Sequence, residues 1–134
     1  MAKMIFVNLP VTDIPRSVEF YMALGFVQNM KFSDEHGVAL VWDGSISLMV
    51  LTHDFYRTFL RDQEVADTQA VSGSITTLTM ESIDEVKQFA ATAGAHGGTS
   101  YHIEMGIPED QMYGLEVKDP DGNMLEVVWM AAEE

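Results

Sequence analysis

The sequence predicts an α+β fold built from two copies of a β-α-β-β-β unit. Three observations predict it. The stretches FVNLPVTDIPRSVEFYMALGF (6–26) and ITTLTMESIDEVKQFAATAGA (75–95) share one layout at a constant offset of 69 residues. In both, a helix-capping residue stands 12 positions before a glycine, Asp13 before Gly25 and Ser82 before Gly94. After each glycine come three strand-like runs bounded by turn residues. Self-similarity at a fixed offset points to a duplicated supersecondary unit.

Each element has a local cause. The first strand ends near VTD, where Asp13 can accept from first-turn N–H groups and Pro15 fits a turn that needs no donor. Ile14, Val18 and Tyr21 then share one helical face. In the second copy Ser82 and Glu85 match a capping box, and Ile83, Val86 and Phe89 form the apolar face. Gly25 and Gly94 are placed for left-handed C-caps. The later strands of the first copy fall at 26–33, 38–43 and 45–52, with DEHG and DG turns. Those of the second copy fall at about 98–104, 111–118 and 123–130. The final-turn glycine lies 19 residues past Gly25 but 28 past Gly94, so the second copy carries about nine extra residues around GIPED (106–110). Residues 53–72 hold a short helix, HDFYRTFLRD, and a linker. The modules are therefore 1–52 and 73–134 of a single domain, a usual size for one core.

Composition excludes several classes. There are no cysteines, hence no disulfide, no thiol nucleophile and no cysteine-ligated zinc. The net charge of −14, from 21 acidic and 7 basic residues, argues against nucleic acid, whose phosphates demand Lys and Arg. Most of these acids simply solvate turns and helix faces. No apolar run approaches the roughly 18 residues needed to span a membrane. The N-terminus lacks the apolar core and cleavage site of a signal peptide, so the expected compartment is the cytoplasm. There is no GxSxG and no phosphate-binding loop motif, and AHGGTS is only a glycine-rich turn.

The end of the chain, YGLEVKDPDGNMLEVVWM (113–130), poses the functional question. Pro120 and Gly122 make DPDG a turn between two strands. Side chains alternate, so Met124, Glu126 and Val128 share one face. A carboxylate on an apolar face is costly unless it is paired. Its partner is a metal, a hydrogen-bond network, a cationic ligand or a proton. Burial would raise its pKa and suit it to act as a general base or as an anchor for a cation.

The openings VTD, SVEFY and ALGF and the ending DPDGN followed by Glu126 resemble the vicinal oxygen chelate superfamily, over residues 4–130. That group includes glyoxalase I, extradiol dioxygenases, and fosfomycin- and bleomycin-resistance proteins. The resemblance implies two βαβββ modules curled into an open, U-shaped mixed β barrel with helices outside. It also implies a divalent metal that chelates two substrate oxygens and stabilises an enolate or oxyanion as a Lewis acid. It places the closing ligand at Glu126 and the opening ligand at Phe6. The counterparts fall at Ile75 and, counted from the DG turn, at Leu48, give or take one residue. Three of the four corners are thus apolar, whereas a catalytic metal generally takes three protein ligands. Glu126 with His102, in TSYHIEM, and Asn8 is the substitute metal set.

Without a metal, the expected cavity is apolar with a few polar groups. Its lining on strand parity is Phe6, Asn8, Leu48, Thr77 and Met124 around Glu126, with Tyr113 at the mouth and Trp42 reaching in. His36 and His96 stand in turns and read as surface residues, and the ten methionines fit adaptable packing. The expected function is a glyoxalase-like small-molecule-binding protein with a degenerate metal site and no cofactor, its acidic surface suiting a cationic ligand. The alternative is a divalent-metal-dependent lyase, isomerase or dioxygenase. A homodimer with the cavity near the subunit boundary is expected, because members of the superfamily commonly dimerise and both ends of the chain carry apolar strands.

Overall fold

The structure is a computed structural model and describes residues 3–132. Its elements are β1 (Ile5–Val11), α1 (Ile14–Ala23), β2 (Val27–Asn29), β3 (Gly37–Asp43), β4 (Ile46–Thr52), α2 (His53–Arg57), β5 (Ile75–Thr79), α3 (Ile83–Ala95), β6 (Thr99–Tyr101), β7 (Met112–Lys118) and β8 (Met124–Met130). A single 3-10 turn follows β2 at Met30–Phe32. The strands form two four-stranded mixed sheets of matching topology, β1-β4-β3-β2 and β5-β8-β7-β6. In each, the first strand runs parallel to the last, and the sheets do not close into a barrel.

The helix starts follow the capping residues. The Asp13 side chain accepts from Arg16 N at 3.1 Å, and the Ser82 hydroxyl accepts from Glu85 N at 3.1 Å. Glu85 closes its box one residue early, accepting from Glu81 N. Gly25 takes φ +106 after α1. Gly94 does not cap α3. The helix runs on to Ala95, and Gly97 takes the left-handed position at φ +96. Two strands are shorter than the sequence predicts: the 26–33 run yields only β2 and the 3-10 turn, and the 98–104 run yields only β6. The linker helix covers five residues.

Helices α1 and α3 cover one face of the sheets. The fully buried Phe20, Tyr21, Val86 and Ala93 meet Val11, Leu48, Val50, Val117, Leu125 and Val127 in one core spanning both modules. The opposite sheet faces carry the residues of the other parity.

The DPDGN turn joins the modules. Asp119 accepts from the backbone N–H groups of Asp121 and Asn123, both at 2.9 Å, and from the Tyr21 hydroxyl at 2.7 Å. Burial pushes the Asp119 carboxyl up, while the hydrogen bonds from Tyr21 and Asn123 pull it down. Burial, followed by the nearby Asp119 charge, holds the Tyr21 hydroxyl well above its ordinary range. Asp121 accepts from Thr12 N at 3.0 Å and Thr12 Oγ1 at 2.6 Å, with the Arg16 guanidinium 3.3 Å away. The Asn123 amide donates to Pro10 O at 3.1 Å. From the linker, Thr68 and Gln69 donate to the carbonyls of Asp121 and Pro120. The turn that ends the second module thus fastens onto β1 and α1 of the first.

Candidate functional site

Register settles which residues share the Glu126 face. Glu126 lies opposite Thr77 on β5 and opposite Glu116 on β7. The Thr77 hydroxyl donates to Glu126 Oε1 at 3.1 Å. Met124 and Ile75 are the next pair along that face. Glu126 and Glu116 border a cavity of about 230 Å³ with Gly114, Met112 and Val128, roofed by the 102–109 segment. Glu104 and Glu109 add two more carboxyl groups to its lining, and among the described residues no lysine or arginine lines it. Lys118, on the same face by parity, is drawn over the Tyr101 ring at 5.8 Å.

Two carboxyl groups at directly opposed positions of an antiparallel pair cannot both ionise cheaply. Glu116 carries the consequence. Burial first, then its hydrogen bond with Glu126 and the Glu126 charge, push its carboxyl up to about 7. The pair therefore exchanges a proton near neutral pH. Such a pair can take a proton from a bound group or hold a cation that replaces the proton.

The sequence missed Glu116. The signal was present in the hairpin itself. With Lys118 facing Met124 across the DPDGN turn, two steps back and two steps forward reach Glu116 and Glu126.

Leu48, Trp42, Phe6 and Asn8 lie away from this cavity, while Tyr113 and His102 border it. Leu48 is fully buried on the helix side of the first sheet, the wrong face for a cavity residue. The counterpart of Glu126 is Met49, which faces Asn8 as Glu126 faces Thr77. Trp42 also turns to the helix side, where its ring meets Phe26 at 4.9 Å and Phe89 at 6.2 Å. Tyr113 borders the cavity, but its ring belongs to the helix side, with Lys87 Nζ 5.5 Å from its centre. The His102 ring stacks on Tyr113 at 5.7 Å and 17°, and His102 borders the cavity with it. Phe6 is 47% exposed on the first sheet, and neither it nor Asn8 borders the Glu116–Glu126 cavity. Asn8 lines separate hollows, one of about 200 Å³ with Leu51, Tyr56, Phe59 and Leu60, and one of about 100 Å³ shared with Met124.

Three of the four corners that the resemblance assigns to a metal carry no ligand. The corner positions Phe6, Ile75 and Met49 offer no hard ligand, and Glu126 faces a second carboxyl group and a hydroxyl. Among the described residues no three His, Asp or Glu side chains converge as a metal-binding group.

The profile of the Glyoxalase/Bleomycin resistance protein/Dioxygenase superfamily matches residues 3–127. No curated protein matches the chain by sequence. Among solved structures, a hypothetical protein of S. aureus, SA1046, superposes with a TM-score of 0.75 at 23% identity, covering 96% of this chain and 94% of its own. A glyoxalase/bleomycin resistance protein/dioxygenase family enzyme from Burkholderia phytofirmans PsJN gives 0.76 at 17% identity, covering 97% and 100%. TnmS3, an antibiotic-binding protein from Streptomyces sp. CB03234, gives 0.65 at 16% identity, covering 98% of each chain. These identities speak for a common fold, and the profile match over most of the length goes further: the chain belongs to the glyoxalase/bleomycin resistance protein/dioxygenase superfamily.

Proposed function

We propose that this chain is a small-molecule-binding protein that takes an organic cation, an ammonium or guanidinium compound, on the Glu116–Glu126 pair without a resident metal. The observation that carries the reading is the opposed carboxyl pair in a cavity with no lysine or arginine in its lining. A cation there compensates the burial, and after it the Glu126 charge, that otherwise keep a proton on Glu116. An anion meets four carboxyl groups and gains nothing. The net charge of −14 adds long-range attraction for cations. TnmS3, described as antibiotic-binding, shares the fold, in keeping with a binding role on this scaffold.

Calorimetric titration with a panel of alkylammonium and guanidinium compounds, set against matched carboxylates, tests the reading. Cations should bind more tightly at pH 8 than at pH 6, because binding displaces the Glu116 proton. Glu126→Gln should lower affinity tenfold or more while leaving the melting temperature nearly unchanged. Equal binding of carboxylates, or unchanged affinity in Glu126→Gln, overturns it. So does a stoichiometric divalent metal in the purified protein that the Glu126→Gln variant lacks. A homodimer is part of the same proposal, supported by the exposed apolar side chains of Met4, Ile5, Phe6 and Ile75 on strand edges. Sedimentation at tens of micromolar should give twice the 14.9 kDa chain mass.

A further inference from the structure

We propose that the segment after β6 is a frayed strand that zips onto the free edge of β7 and lays Ile103 and Met105 on the sheet face that carries Glu116. This inference rests on strand geometry and is independent of what the cavity binds.

The pairing of β6 with β7 runs through Thr99↔Lys118, Ser100↔Val117 and Tyr101↔Glu116, and there it stops. Strand β7 continues four residues further, to Met112. Along that stretch, among the described residues, its β6-side edge has no strand partner. The register carried past Tyr101 puts His102 opposite Leu115, Ile103 opposite Gly114 and Met105 opposite Met112. Ile103 and Met105 would then share a face with Glu116, while His102 and Glu104 would point to the helix side.

Four observations favour this register. The order His102, Ile103, Glu104, Met105 alternates polar and apolar, which is the pattern of a half-buried strand. Ile103 and Met105 stand 52% and 66% exposed beside the cavity. Gly114, which would lie opposite Ile103, carries no side chain of its own, and a Cβ added there would press Val127 O at 3.1 Å and Val128 Cγ2 at 3.3 Å. His102 already stacks on Tyr113, the diagonal neighbour that it would have in the zipped ladder. Little holds the segment open: Gly106 N donates to Glu104 Oε1, and residues 108–112 form a separate turn in which Gln111 N and Met112 N donate to Pro108 O. Gly106, at φ +73, is the hinge between them.

The chain has no cysteine, so paired cysteines can trap the strand-paired form cleanly. Directly opposed residues have Cβ atoms about 4.5–5.5 Å apart, close to the reach of a disulfide. The variant Met105→Cys/Met112→Cys should oxidise at least tenfold faster than the out-of-register control Ile103→Cys/Met112→Cys under the same oxidant. Once oxidised, its amides at 102–105 should exchange hydrogen at least tenfold more slowly than in the reduced protein. Adding His102→Pro/Ile103→Pro to the fast pair should abolish its advantage, because one of these two neighbouring N–H groups must donate to β7. Equal oxidation of the two pairs, or an oxidation rate that the prolines leave unchanged, would show a loop that closes without strand pairing and would overturn the proposal. Unprotected amides in the oxidised pair would overturn it as well.

Discussion

Replacing Glu116 by Gln should stabilise the protein at alkaline pH and do nothing at acid pH. The wild-type Glu116 carboxyl rises from 4.5 to about 7, through burial first and then through its hydrogen bond with Glu126 and the charge there. A folded-state pKa above the unfolded value means that the folded chain binds the extra proton between those limits. Stability therefore falls as pH rises from about 4.5 to about 7 and levels off above. The whole shift corresponds to about 3 kcal/mol, at 1.36 kcal/mol per unit. Glu116 is only half-buried, so solvent screening reduces this to about 1 kcal/mol. For 134 residues the unfolding entropy is about 0.3 kcal/mol per degree, so the gain is about 3–4 °C. Thermal melts of wild type and Glu116→Gln at pH 4.5 and pH 8 measure it. Glutamine keeps the shape and cannot ionise, so the two curves should meet at pH 4.5. A difference that is equal at both pH values, or a variant less stable at pH 8, would refute the shared-proton reasoning.

Two further perturbations test the packing around the site. Tyr21→Phe removes the donor 2.7 Å from buried Asp119 and leaves that carboxylate with three donors, which should cost about 2 kcal/mol in urea unfolding. Leu48→Ala should cost about 2–5 kcal/mol as a core truncation, while Met49→Ala, on the opposite face, should cost about 1 kcal/mol or less. Similar losses in the two variants, read from the same urea curves, would contradict the assignment of faces.

The duplicated fold was legible because its signals are local. Asp13 and Ser82 cap their helices within one turn, and periodicity marks the same apolar faces in both copies. The site was legible only in part, because a cavity depends on register, and register is not local. A shift of one residue moves a side chain to the other face. Counting from the DG turn reached Leu48. The β3–β4 ladder slips between Val41 and Asp43, and the parallel pairing with β1 aligns Met49 with Glu126 instead. Thr77 and Met124 kept their predicted face because parity was counted along β5 and β8 from Glu126 itself. Glu116 escaped notice because an opposed carboxyl pair is a property of two strands. His102 and Tyr113 do border the cavity, and their stacking on each other is a contact between two segments that sequence order does not show.

The fastening of the DPDGN turn also constrains how the chain reaches its native state during synthesis. Thr12 and Asp121 are 109 residues apart, and Tyr21 and Asp119 are 98 apart. Contacts this distant in sequence form late and slow folding. While the first module is emerging, its β1 and α1 present Tyr21 and the Pro10 carbonyl to partners that do not yet exist. Those contacts of the first half can form only once residues 119–123 are available to it. A chain ending before the turn would keep the Tyr21 hydroxyl inside the core without Asp119, and such a fragment is material for quality control and not a stable half-protein.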